Sequence, residues 1–470
     1  MSTASKLLYL QDTKSAIKDA IIAKGVSVPI GTAFRDYADK INSITTGGSP
    51  TADPYVRPST WLNLPDNVVG VEKVSILYAI FDTSPNMVAF TCQDDYRVDW
   101  GDGMYGNYTS GAPALHTYEY NTSGTVIEGE KYKQVIITIT SKSGSHLTSV
   151  NLNQTHTTLN NTSSRPSLSG IQDIRINSSY LNSLCIGSSS NYQTTVNYVM
   201  GLLEQCIIGE VGISLVTAGY LFVNCYTLQN VVFNFNTEQI TSWDSAFYKC
   251  YKLQKAPSIQ FPATSVIATS MFNTCITLIE VPDITINPTN TAYMFNNCRL
   301  LQSVNITFTN TANLGTSYMF QNCYSLVDVD LTFTNTGVMQ SSNFMFAGCY
   351  SLVNAPNIPY VVASSLTNMY ANCNALQNVP DIELSSSCAS IASMFLNCYA
   401  LQKAPNITGV TTGIKGLQSL FANCVSLVDV PDYSFPSVTV MYATFSGCSS
   451  LESIPNITTG TLTDNTSIVD

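Results

Sequence analysis

In the second half of the chain the apolar positions recur with a long period, and each recurrence centres on a cysteine. The anchors are Cys225, Cys250, Cys275, Cys298, Cys323, Cys349, Cys373, Cys398, Cys424 and Cys448, which gives successive spacings of 25, 25, 23, 25, 26, 24, 25, 26 and 24. Counting from each anchor as position 0, position −3 is always aromatic, from Phe222 to Phe445, and Tyr370 is the single tyrosine among phenylalanines. Position +3 is always leucine, from Leu228 to Leu451, and position +6 is always Val, Ala or Ile. A fixed period in this range predicts stacked supersecondary units whose equivalent side chains form rungs of one continuous core.

Proline follows at +7 in seven copies (Pro257, Pro282, Pro356, Pro380, Pro405, Pro431 and Pro455). Because proline has no N–H to give to a ladder, the strand in those copies is expected to be short and to end there. The other three copies run on with period-two alternation, as in Val304/Ile306/Phe308 and Val329/Leu331/Phe333, which predicts longer strands. Each unit therefore reads as a short parallel strand plus a compact return segment. At roughly 4.8 Å per strand, ten units build a face roughly 50 Å long. This Phe-x-x-Cys-x-x-Leu pattern resembles the BspA-like leucine-rich repeats of bacterial surface proteins, and the resemblance implies a solenoid used for adhesion or display.

Residues 61–155 show a different pattern, with short strands separated by turns. Val74–Tyr78, Met87–Phe90, Tyr96–Trp100 and Tyr132–Thr140 are the clearest segments, and their spacing predicts a small antiparallel sandwich. The elements Val98-Asp99-Trp100-Gly101-Asp102-Gly103 and His116-Thr117-Tyr118 resemble those of the polycystic-kidney-disease (PKD) immunoglobulin-like domain. An insertion over Asn121–Glu130 departs from that family's form. The resemblance implies a spacer or contact module.

Residues 1–46 read as two short helices joined at Gly25, with Ile17 and Ile21 on one apolar face and Phe34, Tyr37 and Ile41 on the other. A unit so small needs something larger to dock on. The arrangement from Asp12 to Ile41 resembles a short module of bacteriophage tail and virion structural proteins, which implies attachment to other virion proteins. Residues 47–60 are a linker by composition, 156–200 a connecting loop and N-terminal cap, 201–460 the solenoid and 461–470 a small polar tail. The expected fold class is thus multidomain: helical module, PKD-like sandwich and parallel-sheet solenoid.

Composition narrows the chemistry. Charged residues make up only 11% of the chain and the formal net charge is −11, which argues against nucleic acid and anionic membranes as partners. Ten of the fourteen cysteines share one repeat position, so they read as small buried hydrophobes in preference to disulfides. The start of the chain does not read as a secretion signal, since its apolar run is cut short by Gln11, Asp12 and Lys14. Neither does any stretch read as a membrane span. These features point to folding in a cytoplasm.

No catalytic, cofactor or metal-ligand pattern is visible. The three histidines are His116, His146 and His156, and His116 reads as a turn-holding residue. Asp94, Asp95, Asp99 and Asp102 lie close enough in sequence to bind calcium, although strand ends and turns are the plainer reading. Glu280, Asp328 and Asp429 share position +5, and Asp283, Asp381 and Asp432 share +8, as solvated edge residues. Tyr226, Tyr251, Tyr324, Tyr350 and Tyr399 follow the anchor cysteine directly. Either they form a broken outward column suited to sugar or protein contact, or they pack on the turns beside them.

The expectation is a non-enzymatic bacteriophage virion protein, a tail or surface-fibre component on the particle. Residues 1–46 would join it to other virion proteins, and the solenoid would bind a host cell-surface glycan or protein; homo-oligomers are compatible with this. A capsid decoration protein, an exported bacterial adhesin and a polysaccharide depolymerase are the alternatives.

Overall fold

A computed structural model describes residues 52, 54–82, 86–153, 170–187, 201–212, 214–309, 314–334, 339–358, 364–409, 411–465 and 468. Strands β1 (Lys73–Phe81), β2 (Asn86–Gln93), β3 (Tyr96–Asp99), β4 (Tyr105–Tyr108), β5 (Ala114–Tyr118), β6 (Thr125–Val126), β7 (Tyr132–Ser141) and β8 (Ser149–Asn151) come first. They are followed by β9 (Ile171–Ser178), β10 (Ser183–Cys185), β11 (Gln205–Val211) and β12 (Asn230–Phe233). One sheet runs β4-β3-β7-β1 with β6 also on β7, and the other runs β5-β2-β8-β10. Val74, Ile76, Tyr78 and Ile80 of β1 alternate into the space between them, where Phe90 and Trp100 are also buried. On the opposite face Leu77 packs under Trp61 and Leu64, so this sheet is covered on both sides.

The sandwich does not end where the repeats begin. Strand β1 pairs antiparallel with β9, β9 pairs parallel with β11, and β11 pairs parallel with β12, the first repeat strand. One sheet thus passes from an antiparallel sandwich into a parallel solenoid. A buried polar chain crosses the same junction. Arg57 Nε donates to Asp173 Oδ2 at 2.7 Å, Gln205 Nε2 donates to Asp173, and Asn230 Nδ2 donates to Gln205 Oε1 at 2.9 Å.

The repeats form a β-solenoid of about ten turns, as the periodicity predicts. Every −3 ring from Phe222 to Phe445 stacks on the next, at centroid distances of 5.1–5.7 Å. All ten anchor cysteines are buried and free. Each thiol from Cys250 to Cys448 also donates to the −3 carbonyl of the preceding turn, at 3.0–3.2 Å. The cysteine is therefore a small apolar filler that also carries a weak donor between turns, which alanine lacks.

The helix-containing fold class is overturned. Among the described residues there is no helix, and the fold is all-β. The helical reading of 1–46, with Ile17, Ile21, Phe34, Tyr37 and Ile41, lies outside the described residues. In the repeats the reason is local. Positions −5 and −1 hold left-handed backbone in each turn, as at Tyr293 (φ 59) and Asn297 (φ 60), and a right-handed helix cannot pass through them. Odd positions instead donate to the next turn, as Phe247 N does to Met271 O at 2.8 Å, while even ones close three-residue turns, as Ala246 N does to Trp243 O at 3.1 Å.

Proline acts in part as expected. Between three pairs of proline-bearing turns the ladder ends at a single bridge at +5, such as Lys403↔Asp429, as expected; between two others it pairs instead beyond the proline, Ile382–Leu384 on Ile407–Gly409 and Tyr433–Phe435 on Ile457–Thr459. The proline-free turns pair without a break, Ser303–Phe308 on Asp328–Phe333. Residues of the tail continue the stack, since Val440 bridges Asp464 and Phe445 N donates to Ile468 O at 2.8 Å.

Candidate contact surface

With aromatic, thiol and leucine columns buried, positions −5, +1, +5 and +8 are among those that reach solvent. Two of these carry aromatic rings in register along the solenoid. At +1, Tyr226 lies on Tyr251 with centroids 4.7 Å apart, and Tyr324 lies on Tyr350 at 4.9 Å. The guanidinium of Arg299, the +1 residue one turn earlier, sits 5.4 Å from the Tyr324 ring, so three consecutive turns form one cation-and-ring stack. Tyr350 (44%) and Tyr399 (42%) are exposed and the other three are half-buried. Ile276 and Asn374 occupy the intervening turns and break the column. Burial raises the Tyr251 phenol above its ordinary value, and the neighbouring Tyr226 adds to that shift.

A second column was not singled out by sequence reasoning. At −5, Tyr293, Tyr318 and Phe344 stack with centroids 4.6 and 4.9 Å apart and planes within 7°. The same position is Tyr220 in the turn anchored at Cys225, and Ser245, Ser270, Asn368, Ser393, Ser419 or Ala443 in the others. All are left-handed, a conformation that costs a bulky side chain on the order of 1 kcal/mol. Three aromatics at a strained position, on consecutive turns, are therefore not what the backbone alone would select. Reading position −5 for aromatics across the aligned repeats would have found this column, whereas the Asn and Gly at −1 signal only the left-handed backbone at −1 itself.

The acids are otherwise engaged. Glu280 pairs with Lys255 and Asp429 with Lys403, each at 3.2 Å, while Asn378 Nδ2 donates to Asn354 Oδ1 at 2.7 Å. Position +5 is thus a ladder of exposed polar pairs, and each such pair contributes little stability. Asp328 is exposed and its backbone pairs with Ser303. At +8, Asp283 accepts from Asn305 at 2.9 Å, Asp432 from the Asn456 N–H at 2.8 Å, and Asp381 from the Asn406 side chain and N–H, which hold its carboxyl below the usual range.

In the sandwich the Trp-Gly-Asp-Gly and His-Thr-Tyr elements meet. His116 Nε2 lies 2.8 Å from Asp102 Oδ2, its ring stacks on Trp100 at 4.6 Å, and Tyr118 Oη donates to the Trp100 carbonyl at 2.7 Å. Asp99 and Asp102 also accept from the backbone N–H two residues on, as turn-forming aspartates do. Asp94 accepts from Thr148 and Asp95 faces Lys142. Among the described residues no group of three or more His, Cys, Asp or Glu is placed to hold a metal ion. His146 lies against Glu72 at 2.7 Å, and His156 is outside the described residues. No helix among the described residues is long and apolar enough to cross a membrane.

Comparison with known families matches the BspA type leucine rich repeat region, in six copies over residues 216–352 and 289–428. Residues 216–428 of the solenoid thus match BspA-type leucine-rich repeats. A comparison with curated proteins found no match. Among solved structures the chain aligns with the plant peptide hormone receptor RGFR1 in complex with RGF2, at 13% identity and a TM-score of 0.27. That alignment covers 64% of this chain and 56% of the receptor chain, and at that score it carries no argument.

Proposed function

We propose, starting from this solenoid of BspA-type leucine-rich repeats, that the protein is a non-enzymatic contact protein whose repeat surface binds a cell-surface glycan or protein. The observation that carries the reading is the pair of ring stacks, Arg299–Tyr324–Tyr350 and Tyr293–Tyr318–Phe344, on the same three turns of a largely uncharged solenoid. Rings held by their neighbours lose little conformational entropy on binding and offer flat apolar faces with polar edges, which suits sugar rings and protein side chains alike. Five of the six repeat-position acids support the same reading, because Glu280, Asp429, Asp283, Asp381 and Asp432 each pair with a neighbouring turn.

The setting we propose is the surface of a bacteriophage particle, as a tail or surface-fibre component made in the host cytoplasm. Support comes from the sequence resemblance of Asp12–Ile41 to a virion-protein module, together with the low charge and the free thiols. The sandwich, PKD-like by its two motifs, would serve as a spacer fused to the displayed solenoid.

Purified protein incubated with bacterial envelope fractions should bind saturably and leave polysaccharide chain lengths unchanged. Shortened chains would overturn the non-enzymatic reading. Mass spectrometry of purified phage particles from a producing strain should find the chain, and its absence there would remove the virion setting while leaving the contact role open to the binding assay.

A further inference from the structure

The solenoid holds few cations, and they are not evenly spread. Residues 201–470 carry fifteen Asp and Glu but only six Lys and Arg, and three of those six (Lys249, Lys252 and Lys255) belong to the one turn anchored at Cys250. Half of the six have a structural partner. Lys255 pairs with Glu280 and Lys403 with Asp429, each at 3.2 Å, and Lys415 Nζ donates to the Thr412 carbonyl at 3.4 Å. Among the described residues the other three, Lys249, Lys252 and Arg299, form no ion pair.

All three border the +1 ring column. Arg299 stands in it, over Tyr324. Lys249 at −1 and Lys252 at +2 flank Tyr251, which stacks on Tyr226 at 4.7 Å. Lys249 Nζ lies 5.0 Å from the Tyr248 ring, and its charge offsets part of the upward shift of the Tyr251 phenol. From −1 to +4, the six turns anchored at Cys225 to Cys349 hold no acid. Lys249 also occupies a backbone position that does not favour it. Its φ is 62°, and the other nine turns have Asn, Gly or Thr there. Asparagines at −1 bond along the column, as Asn397 Nδ2 does to Asn372 Oδ1 at 2.7 Å and Asn423 Nδ2 to Asn397 Oδ1 at 2.8 Å. Lysine forgoes both that ladder and the left-handed tolerance of asparagine. What it supplies is a cation beside the rings.

We propose that the +1 strip from Tyr226 to Tyr350 binds an acidic polysaccharide, with sugars against the tyrosines and uronate or phosphate groups on Lys249, Lys252 and Arg299. This ligand class rests on the contact role proposed above and narrows it. The strip is five turns long, roughly 24 Å at 4.8 Å per turn, and its cations lie two turns apart, roughly 10 Å. At physiological salt the Debye length is about 8 Å, so acids more than two turns away are largely screened from a ligand held there. Nearer acids are engaged, Glu280 with Lys255 and Asp244 with the Tyr220 hydroxyl at 2.9 Å. A sparsely charged glycan suits three cations. A nucleic acid, with a phosphate on every residue, would meet the fifteen acids of the same region.

The test is calorimetric titration of the full chain with polygalacturonate and with phosphomannan, each beside its neutral counterpart, the methyl ester and plain mannan. At least one acidic polymer should bind tenfold or more tighter than its counterpart, and which one does so tells carboxylate from phosphate. That affinity should fall roughly tenfold between 50 and 200 mM salt as two or three cations take up counterions again. Lys249→Asn restores the residue most turns carry at −1, so its melting temperature should match or exceed the parent's. Combined with Lys252→Gln it should weaken binding at least fivefold, and Lys403→Gln, outside the strip, should leave it unchanged. Binding that ignores the charge of both polymers, or no binding to either, would overturn the proposal, as would equal affinity for oligothymidylate. Full retention of envelope binding by the double lysine variant would overturn the acidic ligand and leave the contact role standing, whereas failure of the parent to bind envelope fractions would overturn both.

Discussion

The sandwich and the solenoid share a sheet yet are specified in opposite ways. In the sandwich almost every contact is made once: Gln134 with Gln172, Tyr118 with the Trp100 carbonyl, His116 with Asp102. In the solenoid a few contacts are made nine times, ring on ring and thiol on carbonyl, so that each turn supports only its neighbours. The difference teaches where variation is tolerated. A sandwich position is tied to one partner, whereas a solenoid column that faces solvent can change from turn to turn without disturbing the ladder. The outward columns at −5 and +1 do change: five of their nine aromatic members lie on the turns anchored at Cys298, Cys323 and Cys349, and the others are Tyr220, Tyr226, Tyr251 and Tyr399.

The largest test of this contrast is alkaline pH. Burial pushes the anchor thiols upward from an ordinary 9.0, to about 11 at Cys448 and farther in the deeper turns. Above that ordinary value the unfolded chain releases these protons while the folded solenoid keeps them, so stability falls as pH rises. The loss approaches about 1.4 kcal/mol per pH unit for each buried thiol. Denaturant melts should therefore show the solenoid losing several kcal/mol between pH 9 and 10. The sandwich, in which Cys92 is pushed up to about 12, Cys185 to about 11 and the buried Tyr78, Tyr96 and Tyr118 phenols are also raised, should lose less than the solenoid in that window.

Next in size are two core substitutions that separate the regions. Phe320→Ala removes a ring stacked at 5.6 Å on one neighbour and 5.3 Å on the other, and should cost about 3–5 kcal/mol. Hydrogen exchange should place that loss in the adjoining turns and leave β1–β8 protected. Arg57→Ala leaves the fully buried Asp173 carboxylate without its cation, at a cost of about 3 kcal/mol. Its exchange should rise on both sides of the β1–β9 junction, because there the two regions are one sheet. Smallest is Tyr318→Asn. It trades a ring stack of about 1 kcal/mol for relief of left-handed strain of similar size, so the melting temperature should hardly move.

Sequence alone made much of the solenoid legible, because its side chains interact with copies of themselves at a fixed offset. The cysteine, aromatic and leucine columns follow from that offset. What stayed hidden depends on backbone or on distant pairing. The left-handed −5 position is invisible where serine, tyrosine and alanine all occupy it, although Asn224, Asn297 and Gly348 at −1 signal its partner. Gly348 sits there against Asn322, whose Oδ1 would lie 2.6 Å from an added Cβ. The pairing beyond Pro380, Pro405, Pro431 and Pro455 was missed, since proline forbids one donor and not the donors that follow it. The fusion of sandwich and solenoid was hidden as well, because Ile76 and Ile174 pair across nearly a hundred residues with no local trace.

The central claim, that the solenoid's ring columns make the contact, is tested most directly by envelope binding of three variants side by side. They are Tyr324→Ala with Tyr350→Ala, Tyr318→Asn with Phe344→Ser, and Tyr105→Ala, the last at a sandwich ring that is 65% exposed. The account predicts affinity at least tenfold weaker for the two solenoid pairs, with melting temperatures near the parent's, and parent affinity for Tyr105→Ala. Parent-like binding by both solenoid pairs, or a loss confined to Tyr105→Ala, would contradict it.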